Sequence, residues 1–295
     1  MEIYGRGYNP WGQNAPFIEK YATVAMLYCC GTSKIRDSFN DYPRYLNYIF
    51  GITDPIAYHQ KLIAEGYYIK ASPDIILETY RVSDLKDILA KNNLPTKGRR
   101  KALIEEILNN IDTADLNFGD FYTRSTEGET YLSKYEYVMA LRNYNISPSE
   151  YDQFENSHPG LIPDEIIFNI LSQRYSENSI AQKWGLARNA LHELSIFYLS
   201  KNEYEKALYE LISVLYIDTS GYSNGGRESL EQIILAPAIL SSIYKYKEFY
   251  SPHMIANCLL ERSTPQHYLS KNQFENLVLK VIDGKTIEEI DLKTL

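Results

Sequence analysis

Between Tyr80 and Ile111 two apolar stripes at helical spacing flank a short break, a pattern that fits a helical hairpin and little else. Leu85, Ile88 and Leu89 fall at i, i+3 and i+4 on one face of a first helix, for which Ser83 is the expected N-cap. Leu94-Pro95 stops that helix, because proline lacks an N–H and disfavours helical backbone in the residue before it. Gly98 permits the turn into a second helix, where Leu103, Ile104, Ile107, Leu108 and Ile111 supply the facing stripe. A bare hairpin of about 35 residues buries too little apolar area to stand alone, so the helix–extended–helix segment before it is expected to pack against it.

Charge marks the same segment. The chain has 295 residues and a formal net charge of −8, yet seven cations between Tyr80 and Ile104 face only two anions, Asp84 and Asp87. Lys97, Arg99, Arg100 and Lys101 crowd the mouth of the second helix. A helix N-terminus already offers unpaired backbone N–H groups and the positive end of a dipole, so added cations make it an anion-binding site. The candidate nucleic-acid-binding residues are therefore Lys97, Gly98, Arg99, Arg100 and Lys101.

Val82 to Leu89, then Leu94-Pro95-Thr96-Lys97-Gly98, then Arg100 with Leu103-Ile104-Glu105, resemble the SAP motif. This is a DNA-binding helix–extended loop–helix of chromatin-associated and some phage and bacterial proteins. The resemblance implies that the loop and the start of the second helix lie against DNA, a role that carries over to Lys97, Gly98, Arg99 and Arg100. Two positions depart from the family pattern. Asn93 stands where glycine usually precedes Leu-Pro, and asparagine adopts left-handed backbone readily. Glu106 stands where a basic residue is usual, and a carboxylate there opposes phosphate.

Other chemistry is not called for. The five histidines (His59, His158, His192, His253, His267) are scattered without an HExxH or an i, i+4 pair, so neither metal nor cofactor is expected. Gly221, Gly225 and Gly226 are not followed by the Lys-Ser/Thr of a phosphate loop and read as part of a loop over 220–227. Cys29, Cys30 and Cys258 form no CxxC and are odd in number, which favours a reducing cytoplasm. The apolar run from Phe17 to Cys30 is too short and too interrupted by Glu19 and Lys20 to span a bilayer, and the first residues lack the pattern of a signal peptide. The 27 tyrosines, spread along the whole chain, suit half-buried helix faces.

The expected fold is mainly α: a helical module over 1–125 that contains the SAP-like hairpin (80–111), then an all-helical, repeat-like bundle over 126–295. In the first part, residues 1–16 read as an irregular arm. Helices are expected over Phe17–Cys30, from about Tyr42 to Phe50, from Asp54-Pro55 to near Gly66, and from Ser72-Pro73, with Tyr67–Lys70 extended. Residues 112–126 read as a connector, and Tyr122–Leu132 resembles the wing of a winged helix, which implies a hairpin closed by a glycine-containing turn. In the second part, Pro163-Asp164 opens one helix and Ser179 or its surroundings another. Residues 190–218 resemble a single tetratricopeptide repeat, with Ser195 and Ala207 at its small positions and Asn202 at its turn. Helices around Leu230–Phe249, His253–Glu261 and Gln273–Ile282 complete the bundle.

The functional expectation is a non-enzymatic DNA-binding protein that contacts the phosphate backbone with little sequence specificity. The alternative is a protein–protein adaptor that holds a partner through its C-terminal helices, with the SAP-like unit structural. Residues 126–295 hold 15 Lys/Arg against 23 Asp/Glu, so that half is not expected to face DNA.

Overall fold

A computed structural model describes residues 17–223, 227–262, 267–286 and 289–292. The expected arm over 1–16 and the centre of the loop at 220–227 lie outside these residues. The chain folds as two compact units, residues 1–140 and 141–295. It is mainly helical, with three strands of three or four residues each among the described residues.

In the first unit α1 (Glu19–Cys29) is buried along almost its whole length, from Tyr21 to Leu27. It is followed by β1 (Thr32–Lys34), a 3-10 turn at Phe39–Asp41 and α2 (Tyr45–Tyr48). The helix expected from Tyr42 to Phe50 is thus a single turn. Asp54 caps α3 (Pro55–Ala64) by accepting from Ala57 N–H at 3.0 Å, with proline at the first helical position. After Gly66 at φ +85° come β2 (Tyr68–Lys70) and α4 (Pro73–Glu78). The hairpin itself is α5 (Val82–Lys91) and α6 (Arg100–Asn110).

β3 (Phe121–Arg124) is the centre of a three-stranded antiparallel sheet in the order β1-β3-β2. Thr123 faces Thr32 on one side and Ile69 on the other. The wing-like turn expected over Tyr122–Leu132 is not a hairpin turn. Ser125 caps α7 (Thr126–Lys134), accepting from Gly128 N–H at 3.0 Å and donating to Gly66 C=O at 2.6 Å. The glycine serves close approach instead: a Cβ on Gly128 would lie 2.3 Å from the Tyr67 carbonyl oxygen. Both α7 and α8 (Tyr137–Ala140) pack on α1.

The second unit is built around α10 (Pro163–Ile180), α11 (Trp184–Ser200) and α12 (Tyr204–Ser220), preceded by α9 (Pro148–Ser157). α11 packs on both α10 and α12. Asn202 at φ +59° makes the turn between α11 and α12, and buried Ser195 and Ala207 are small enough to let helices approach closely. α12 is buried on nearly every side from Leu211 to Ser220, because α13 (Pro237–Lys245) and α14 (Pro252–Glu261) also pack on it. α15 (Lys271–Ile282) packs on α13. The helix expected over Leu230–Phe249 is interrupted: a 3-10 turn at Leu230–Gln232, an irregular stretch to Ala236, α13, and a further 3-10 turn at Lys247–Phe249. Pro237 explains the break, since it can start a helix but not continue one.

Three arginine–carboxylate sites fix this unit internally. Arg174 donates to Glu150 and Glu193 and to the carbonyls of Tyr144 and Asn145. Arg188 pairs with Asp218 through two hydrogen bonds of 2.9 and 3.0 Å. Arg262 donates to both oxygens of Glu210, at 3.2 and 3.1 Å.

Candidate nucleic-acid interface

The hairpin does not fold on its own two stripes alone. Leu85 and Leu89 of α5 and Leu103, Ile104 and Ile107 of α6 form one buried cluster. Ala71, Ile76 and Leu77 from the preceding segment and Phe118 from the following one complete it. Tyr80 meets Phe118 edge to face, with ring centroids 6.0 Å apart. The segments on either side thus supply the apolar area a bare hairpin lacks.

The first helix starts one residue before the expected cap. Arg81 is its N-cap, and Asp84 reaches back to accept Arg81 N–H at 3.1 Å, while Ser83 lies inside the first turn with its hydroxyl donating to Asp84 at 3.2 Å. A carboxylate in the first turn satisfies the orphan donor and opposes the positive dipole end, so serine is not needed as the cap. The helix ends at Asn92, and Asn93 takes φ +56°, the left-handed geometry that glycine usually supplies at this place.

The loop then runs extended from Leu94 to α6. Gly98 sits at φ +145°, where a side chain is strained, and a Cβ there would come within 3.3 Å of the Ala102 methyl. Arg99 is the N-cap of α6 and caps it with no side-chain hydrogen bond. Lys97, Arg99 and Lys101 are exposed around this helix start, and Lys101 approaches Glu105 at 4.0 Å, with both side chains mostly in solvent. A pair so exposed contributes little and leaves the ammonium available to other anions. Arg100 differs from the other three. It is half-buried, and its Nη1 donates to the Glu78 carbonyl at 2.7 Å, tying α6 to the C-terminal end of α4. Nothing in the sequence signalled that bond, because residue type alone does not say which of four neighbouring cations turns inward. Glu106 is half-buried one turn beyond Ala102.

Residues 76–111 match the family model of the SAP domain, so this helix–loop–helix is a SAP domain, a DNA-binding module in general. No curated protein and no solved structure matches the chain.

Elsewhere the described residues offer less. No group of three or more His, Cys, Asp or Glu side chains among them is arranged to hold a metal ion, and no helix among the described residues is long and apolar enough to cross a membrane. His59 is fully buried with its Nδ1 3.1 Å from the Tyr42 hydroxyl, and burial pushes its pKa down to about 4. His192 is pushed down to about 4 by burial and by neighbouring Arg188. His267 stacks on Tyr216 at 4.3 Å and is held by the Tyr216 and Leu269 carbonyls. One motif escaped the sequence reading: Gly221-Tyr222-Ser223-Asn224-Gly225 has G-x-S-x-G spacing. A nucleophile elbow needs a strand leading into the serine, and here α12 leads into it instead. Ser223 lines a broad polar groove of about 570 Å³ at the start of α11, beside Arg188 and Asp218, which are already paired with each other.

Proposed function

We propose that the chain is a non-enzymatic DNA-binding protein whose SAP domain grips the phosphate backbone with little sequence specificity. One observation carries this reading: exposed Lys97, Arg99 and Lys101 surround a helix start that no side chain caps. Backbone N–H groups, the dipole and three mobile cations there all favour an anion. Arg100 supplies the fourth contact, since a guanidinium carries five N–H donors and one on Glu78 leaves others for phosphate. Gly98 lets the backbone come close. Phosphate contacts position a protein without reading bases, hence the low specificity.

Four neutralised phosphates correspond to a slope of log affinity against log salt of about −3.6 on duplex DNA. In the full chain, Lys97→Ala, Arg99→Ala and Lys101→Ala together should bring the slope to about −0.9 and weaken binding to unrelated duplexes equally. An unchanged affinity and slope in this triple variant, with helicity intact by circular dichroism, would exclude this face as the DNA site.

A protein partner held by the C-terminal helices is the second reading. It rests on Leu186 and Ile234, two exposed apolar side chains that both line the groove at the start of α11. Leu186→Asp with Ile234→Asp should abolish capture of such a partner and leave DNA affinity unaltered.

A further inference from the structure

The first unit contains a pair of thiols that the DNA-binding reading does not use. Cys29 is the last residue of α1 and Cys30 its C-cap, and their sulfurs lie 3.2 Å apart. That is about 1.2 Å beyond bonding distance, with both side chains already turned to the same side. Neither is in a disulfide, and only Cys29 is partly exposed. We propose that Cys29 and Cys30 are a redox site that closes reversibly to a vicinal disulfide on exposure to a peroxide.

The two sulfurs are unequal in a way that assigns the roles. Cys29 is the partly exposed sulfur; either sulfur can donate in the contact between them, and with Cys30 as donor that bond joins the Arg36 guanidinium and the Tyr45 side chain in holding the Cys29 thiol below its ordinary value. The hydrogen bond to Cys29 and burial hold Cys30 protonated. Cys29 is the attacking sulfur: its thiolate takes one peroxide oxygen, becoming a sulfenic acid and releasing hydroxide. With Cys29 neutral, the charge that kept Cys30 protonated is gone. The Cys30 sulfur then displaces the sulfenic oxygen, which leaves as water carrying the Cys30 proton, and the proton that Cys29 shed on ionising neutralises the hydroxide. Two thiols and one hydrogen peroxide give one disulfide and two waters.

Neighbouring residues are linked by Cα atoms about 3.8 Å apart, short of the 4.4 Å at which ordinary disulfides begin. The closed ring is therefore strained and easily reduced, which suits a switch and not a staple. The strain falls on the end of α1. Cys30 N–H donates to Met26 C=O at 2.9 Å, and the Tyr68 hydroxyl donates to the same carbonyl at 3.0 Å. Two residues on, the chain enters β1, and Gly31 C=O accepts from Arg124 N–H of β3 at 3.2 Å. Closing the ring pulls Cys30 out of its bond to Met26 and frays the last turn of the helix that leads into the sheet.

Hydrogen peroxide applied to the full chain, followed by unfolding, alkylation and digestion, tests this. The peptide containing both residues should resist alkylation and be about 2 Da lighter, regaining two alkylatable thiols after dithiothreitol. Cys258, buried in the second unit, should remain alkylatable throughout. Cys30→Ser should stop the reaction at the Cys29 sulfenic acid, trapped by dimedone. Hydrogen exchange of the Cys30 amide should quicken in the oxidised protein. The proposal is overturned if the wild-type Cys29 accumulates as sulfinic acid with Cys30 still alkylatable, if the disulfide joins two chains, or if both thiols survive excess peroxide.

Discussion

Gly128→Ala should destabilise the first unit, against the usual sign for a glycine inside a helix. In an exposed helix interior the change gains about 1 kcal/mol from propensity. Here the new methyl would sit 2.3 Å from the Tyr67 carbonyl oxygen, where at least 3.0 Å is needed, and 3.4 Å from the Leu27 side chain. α7 must therefore retreat by about 0.7 Å or more from the turn that precedes β2. That turn is bonded to the same end of α7: Ser125 N–H donates to Tyr67 C=O at 3.0 Å, and the Ser125 hydroxyl donates to Gly66 C=O at 2.6 Å. Stretching both bonds costs about 1 kcal/mol each, and overpacking about 1–3 kcal/mol more. After the propensity gain the net loss is about 2–4 kcal/mol, which lowers the melting temperature by roughly 5–15 °C for a chain of this size. Differential scanning calorimetry of the full chain reads this directly. Ser133→Ala, a solvent-facing change in the same helix, is the control and should be neutral or slightly stabilising. A Gly128→Ala melting temperature equal to or above wild type would refute the close-approach argument.

Burial lifts the Glu210 carboxyl to about 7 despite the opposing pull of Arg262, so the folded state keeps a proton that the unfolded chain releases between about 4.5 and 7. Unfolding free energy from this site should therefore fall as pH rises through that window, by at most about 3 kcal/mol, and urea titrations should find the fall missing in Glu210→Gln; parallel pH profiles would contradict it. Arg174→Met leaves Glu150 and Glu193 without their shared partner and should cost about 1.5–3 kcal/mol in chemical denaturation, a loss under about 0.5 kcal/mol being inconsistent with a half-buried charged network. Glu106→Arg removes a carboxylate near the cationic start of α6 and should tighten duplex binding several-fold at low salt; no change would place that side of α6 away from DNA.

Local signals carried well where one stretch of chain decides its own structure. The stripes of α5 and α6, Asp54-Pro55 at the start of α3 and Asn93 in the turn after α5 all act through neighbours within a few residues. What escaped was set by distant residues. Ser125-Thr126-Glu127-Gly128 is compatible with a hairpin turn until Tyr67, some sixty positions earlier, is known to press on Gly128. Ser83 is the exception, missed for a local reason: Asp84, the next residue, accepts Arg81 N–H and moves the cap two residues earlier. The cationic loop was legible as a cluster, but the inward turn of Arg100 depends on where α4 ends. β3 could not be recognised as a central strand from four residues of half-buried sequence.

That central strand sets an order of events for folding. Thr123 finds its partners at Thr32 and Ile69, and between β2 and β3 the chain makes the whole excursion through α4, the SAP domain and Phe118. Until the excursion is compact, joining its ends costs the closure entropy of a long flexible loop. Once the cluster from Ala71 to Phe118 has formed from contacts close in sequence, the two ends emerge side by side, and Ala71 N–H is within 2.9 Å of Phe121 C=O. The SAP hairpin is then the clasp that brings the sheet together, with Phe121 of β3 packed against its core, and a lesion in that core would be felt first as slow closure of the strands.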